Sequence, residues 1–101
     1  MKRPSQFTLS RPKALALIRE LALESGNVVF SLHALKRMKQ RKVTPQEVMA
    51  CLLNGAIVEG PAMGIKGDWE LALERFGGGR KLCVAVAIDI PKRLIVITVY
   101  D

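Results

Sequence analysis

Three side chains in the stretch SLHALKRMKQRK, Ser31 to Lys42, have the types and the spacing to handle a phosphate ester. His33, Arg37 and Arg41 recur every fourth residue. On a helix, at roughly 100° per residue, they fall within about 80° of one another on one face. An imidazole can take or give a proton near neutral pH. The two guanidiniums are planar, permanently charged forks that bind phosphate oxygens in pairs. Cleaving RNA without a metal needs a base for the 2′-OH, an acid for the departing oxygen and cations over the phosphorus. The row supplies the cations and one proton-transfer group. Lys36, Lys39 and Lys42 in the same stretch, with Lys66 and Arg80 in or beside later loops, would extend a basic groove for nucleic acid. A charged face that is merely solvated has the same pattern, and so does a helix that binds without cutting.

Other residue types narrow the chemistry. His33 is the one histidine, and no carboxylate or cysteine stands at ligand spacing to it, which argues against a metal site. No cofactor motif is present. Cys51 and Cys83 each sit in an apolar segment without a basic neighbour, the pattern of buried, reduced thiols. Tyr100, on the same strand parity as Thr98, is a candidate acid or hydrogen-bond donor, or else a ring closing the sheet edge. Trp69, the sole tryptophan, reads as core. Five per cent aromatic residues make a single-strand reader built on stacking improbable.

The elements that must position the row can be read in order. Residues 1–9 form an arm, and Ser10 caps a first helix over residues 10–25 with Pro12 in its first turn and Gly26 as its stop. Ala14, Leu17, Ile18 and Leu21 make its apolar stripe, with Leu15 and Leu23 left off it. Val28 to Phe30 is a short strand. Ser31 caps the second helix, whose Leu32, Leu35 and Met38 should pack it onto a sheet. Thr44-Pro45-Gln46-Glu47 is a capping box with proline at the first helical position, opening a third helix that buries Val48, Cys51 and Leu52. The second and third helices should form a hairpin lying on the sheet.

From Ala56 onward the pattern is β. Ala56 to Glu59 is a strand, Gly60 to Gly67 a loop, and Asp68 to Phe76 a strand with one wet face. Gly77 to Gly79 is a hairpin turn. Lys81 to Ile90 is a central strand, large residues on one side and Cys83, Ala85 and Ala87 on the other. Pro91-Lys92 turns the chain into Leu94 to Tyr100. The expected fold is α+β, with N-terminal helices packed on a mainly antiparallel sheet of four to five strands, as a single domain over residues 1–101.

Charge is distributed unevenly. Residues 1–45 hold ten Lys and Arg against two Glu, a net of +8, while residues 46–101 hold six against seven acids, a net of −1. Such asymmetry attracts polyanions: nucleic acid, an acidic protein or an anionic surface. The opening MKRPSQFTLS has no apolar run behind its charges, and no apolar run is long enough to span a bilayer, so a cytoplasmic protein without a membrane role is expected.

FSLHALKRMKQRKVTPQEVMACLLNGAIVEG and the closing LIVITVY resemble a family of small bacterial domains of unknown function. That family is marked by S-x-H-A-x-x-R-M-x-x-R and a final I-T-V-Y, and the resemblance runs from about Phe30 to Tyr100. It implies kinship with RelE/ParE- and BrnT-type toxins, in which two helices pack on an antiparallel sheet. Many of those are metal-independent ribonucleases paired with an antitoxin protein, and others poison gyrase. The resemblance would make His33, Arg37, Arg41 and Tyr100 the catalytic set and RNA the substrate. The first helix lies outside it, the toxin-like core being residues 27–100.

Overall fold

The computed structural model describes residues 9–89 and 93–101. Residues 1–8 of the expected arm, Ile90 and the Pro91-Lys92 turn lie outside the described residues. Three α-helices and a five-stranded sheet follow in the order α1 (Arg11–Ala22), a 3₁₀ turn (Ser25–Asn27), β1 (Val28–Phe30), α2 (Leu32–Arg41), α3 (Pro45–Asn54), β2 (Ala56–Met63), β3 (Trp69–Gly77), β4 (Arg80–Asp89) and β5 (Arg93–Tyr100).

Each helix begins where a side chain can satisfy a free N–H of the first turn. Ser10 accepts from Lys13, Ser31 from Ala34, and Thr44 from Glu47. The Glu47 carboxylate reaches back to the Thr44 amide at 2.8 Å, closing the capping box. The helix ends were less legible. α1 stops at Ala22, four residues before Gly26, which sits within the 3₁₀ turn. α2 ends on Lys42 in the left-handed region, φ 57°, an uncommon conformation for a side-chain-bearing residue.

The sheet runs β1-β5-β4-β3-β2. The β2–β3, β3–β4 and β4–β5 pairs are antiparallel, but β1 pairs parallel with β5, so the sheet is mixed. Gly77 pairs with Arg80, leaving Gly78 and Gly79, both at positive φ, as a two-residue turn that only glycine enters without strain. β2 runs on to Met63, past its expected end at Glu59, because two irregularities in its register let it continue beside β3. One of them contains Gly60 at φ 80°.

One sheet face carries the core. Leu82, Val84, Val86 and Ile88 of β4 meet Leu71 and Leu73 of β3 and Leu94, Val96 and Val99 of β5, all buried together with residues from every helix. α1 contributes Ala14, Ile18, Leu21 and Ala22, so it is part of this core, and Leu9 of the expected arm packs against it. The opposite face keeps Cys83, Ala85 and Ala87, with Ile95, Ile97 and Glu70 around them.

Two expectations for α2 fail. The helix buries Ala34 and Met38, while Leu32 is 86% and Leu35 47% exposed. Both ends of the helix are tethered, and the tethers set its rotation. At the start, the Ser31 amide and hydroxyl donate to the Val96 and Ile97 carbonyls of β5. At the end, Arg41 pairs with Asp101 just beyond β5. Nor do α2 and α3 make the expected hairpin. α2 lies along β5, whereas α3 packs beside α1 over β3 and β4.

Candidate functional site

His33 stands in the first turn of α2 and is exposed; Arg37, one turn on, is half-buried. Among the described residues neither has a hydrogen-bond or ion-pair partner. Arg41 continues the row, but Asp101 already occupies its fork. The structure therefore brings together an open imidazole and one uncommitted guanidinium, with a second guanidinium held by a carboxylate. Lys36, Lys39 and Lys42 are exposed on the same helix and its cap.

Tyr100 does not join this group. It follows Val99, whose side chain is fully buried in the core, so on an extended strand it points to the other face. Its strand partner there is Cys83, itself paired with Glu74 of β3. Burial pushes the phenol up, and the charges of Cys83, Glu59 and Glu74 add to that. The hydroxyl thus faces carboxylates of β2 and β3, a setting that repels a phosphate.

The other basic candidates are dispersed. Lys66 is exposed in the β2–β3 connection, beside a cavity of about 570 Å³ on the helix-free sheet face. Arg80 is a clamp. Its guanidinium donates to the Arg41 carbonyl at 3.1 Å, to the Lys42 carbonyl at 2.9 Å, and to both Glu47 oxygens at 3.2 and 3.1 Å. One side chain therefore joins the end of α2, the start of α3 and the β3–β4 hairpin. Glu47 is held below the usual carboxylate range, first by the Thr44 amide and then by Arg80. Sequence reasoning missed this clamp because two of its four acceptors are backbone carbonyls and the other two belong to a carboxylate 33 residues away. The only available signal was an arginine following a glycine turn.

Neither thiol suits nucleophilic chemistry. Burial pushes Cys51 up to about 12 and also raises Cys83. Among the described residues, no three His, Cys, Asp or Glu side chains converge as metal ligands, and no helix is long and apolar enough to cross a membrane.

Gly55, which closes α3, has a structural reason. A Cβ there would lie 2.5 Å from the Cys51 carbonyl oxygen and 2.8 Å from that of Glu74. Only glycine lets the end of α3 approach β3 this closely.

Fold and site together define an α+β domain that presents a basic helix beside the last strand of a mixed sheet. The chain belongs to the DUF4258 family, a domain of unknown function, whose family model matches residues 30–101. Comparison with curated proteins and with solved structures found no match.

Proposed function

We propose that this protein is a toxin-like, metal-independent endoribonuclease of a toxin–antitoxin pair, acting on RNA in the cytoplasm. The observation that carries the reading is the solvent-open His33 imidazole one helical turn from the uncommitted Arg37 fork, on a helix studded with lysines. The order of elements, with helices after a first edge strand and then four strands in series, is in keeping with a RelE-like toxin.

In this scheme His33 takes the proton of a ribose 2′-OH and the 2′-oxygen attacks the adjacent phosphorus. The bond to the 5′-oxygen breaks, and that oxygen takes a proton from water. Arg37 covers the non-bridging oxygens, and Arg41 joins it when phosphate displaces Asp101. The products are a 2′,3′-cyclic phosphate and a 5′-hydroxyl. Tyr100 has no part in the scheme, because its hydroxyl lies across the sheet.

Inducible expression in a bacterium should slow growth and degrade mRNA, and His33→Ala should relieve both. Wild-type expression that leaves growth and RNA intact would sink the catalytic scheme. The second reading is a non-catalytic module whose basic helix docks nucleic acid or an acidic protein. Arg41's existing ion pair and the lack of a second proton-transfer group in the row favour it. It predicts RNA affinity that falls steeply with salt, weakened by Arg37→Ala but not by His33→Ala.

A further inference from the structure

The rotation of α2 leaves a stripe on its outer side whose two leucines neither the core nor the phosphate row uses. Leu32, Leu35, Lys36 and Lys39 stand at i, i+3, i+4 and i+7, within about 100° of one another and opposite Ala34 and Met38. The two leucines are 86% and 47% exposed, and both lysines are exposed. Burial of Ala34 and Met38, the Ser31 bonds to β5 and the Arg41–Asp101 pair go with a rotation that leaves the leucines facing outward.

We infer that this stripe is a docking surface for an amphipathic helix of another protein, with an apolar seam and flanking Asp or Glu. The leucines offer adjacent apolar positions one turn apart, the spacing a partner helix reads. The charge is what selects the partner. Lys36 and Lys39 border the leucines, and the chain up to residue 45 carries a net +8, so an acidic helix is attracted and a basic one repelled. An RNA strand would use the lysines and gain nothing from Leu32 and Leu35. An anionic bilayer is the weaker alternative, because α2 is fixed in the domain and offers only two leucines for insertion, without an aromatic anchor. Lys36, the edge of the stripe, is about 60° from His33 around the helix, so the docked partner overhangs the imidazole. This closing of the site rests on the ribonuclease reading, but the docking itself does not.

The test uses the full chain and a synthetic helical peptide of about 18 residues, with leucines at i, i+3, i+4 and i+7 flanked by glutamates, read by fluorescence anisotropy. A second peptide replaces the glutamates with lysines. The acidic peptide should bind, more weakly as salt rises, and the basic one should not. Leu32→Ser/Leu35→Ser should weaken that binding at least about tenfold with thermal stability and RNA affinity unchanged. Lys36→Glu/Lys39→Glu should invert the preference between the peptides. Equal binding of both peptides, unchanged binding by the leucine variant, or binding to phosphatidylserine vesicles with none to the acidic peptide would overturn the docking surface. Cleavage of RNA that persists at saturating acidic peptide would overturn the closing of the site alone. RNA that is never cleaved would end the ribonuclease reading while the binding experiment still decides the docking.

Discussion

Replacing Arg80 by alanine separates a clamp from a ligand-binding residue. Its guanidinium makes four hydrogen bonds, two to the carbonyls that end α2 and two to the Glu47 carboxylate. The carbonyl bonds are worth about 0.5–1.5 kcal/mol each. Both side chains of the ion pair are more than a third exposed, at 38% and 39%, so water screens it and its share is about 0–1 kcal/mol. The loss should be about 1–4 kcal/mol, or a fall in Tm of roughly 4–30 °C for a domain of this size. Arg80→Lys should recover little, since an ammonium cannot fork between two carbonyls and a carboxylate at once. Thermal and urea denaturation followed by circular dichroism give the stability. RNA binding measured well below the variant's Tm gives the second readout and should move no more than one surface charge allows. A variant that melts like the wild type yet binds RNA tenfold less would refute the clamp and restore Arg80 to the nucleic-acid surface.

Gly55→Ala should destabilise by about 1–3 kcal/mol, because the added methyl meets two backbone oxygens that can move only by separating α3 from β3; urea titration would show it. Lys42→Gly should stabilise by about 0.5–1 kcal/mol by relieving the left-handed cap, while removing a positive charge from the proposed RNA surface; a lower Tm would contradict it. Glu47 has a depressed folded-state pKa, so its contribution is present above the unfolded value of 4.5 and is lost as pH falls through the folded one. As pH falls below 4.5, wild-type stability should therefore fall more steeply than that of Glu47→Gln, and parallel curves would remove the acid-linked role.

The parts of this fold that were legible in the sequence are those decided within a few residues. Ser10, Ser31 and Thr44 mark helix starts because a cap needs only its own first turn. The alternation in β3 and β4 tells the two sheet faces apart because side chains reverse at every step. The rotation of α2 was not legible, since distant residues decide it: the Val96 and Ile97 carbonyls, Asp101 and Arg80. Leu32, Leu35 and Met38 make as good an inward stripe as Ala34 and Met38 until those tethers exist. The candidate site divides the same way. His33 and Arg37 follow from helical spacing, whereas the engagement of Arg41 by Asp101 spans 60 residues of sequence. The side of the sheet that receives Tyr100 depends on which parity of β5 meets the helices.

The distribution of arginines limits what the basic helix can do. Arg11 donates to the carbonyls of Gly60 and Ile57, Arg19 to that of Gly55, and Arg80 to those of Arg41 and Lys42. Arg41 and Arg93 hold Asp101 and Asp89. Apart from Arg41, whose exposed pair a phosphate can displace, these forks are spent on architecture, and a net positive charge overstates the capacity for bidentate recognition of phosphate. On α2, Arg37 is the guanidinium left for that task, surrounded by Lys36, Lys39 and Lys42, which act as point charges. Point charges draw a polyanion in without distinguishing one sequence from another. With Trp69 packed against the core, no indole is placed to stack on a base beside them. A ribonuclease built this way would find RNA by charge and cut where the backbone reaches His33 and Arg37. Any choice among targets would then have to come from the shape of the RNA or from whatever occupies the outer face of α2.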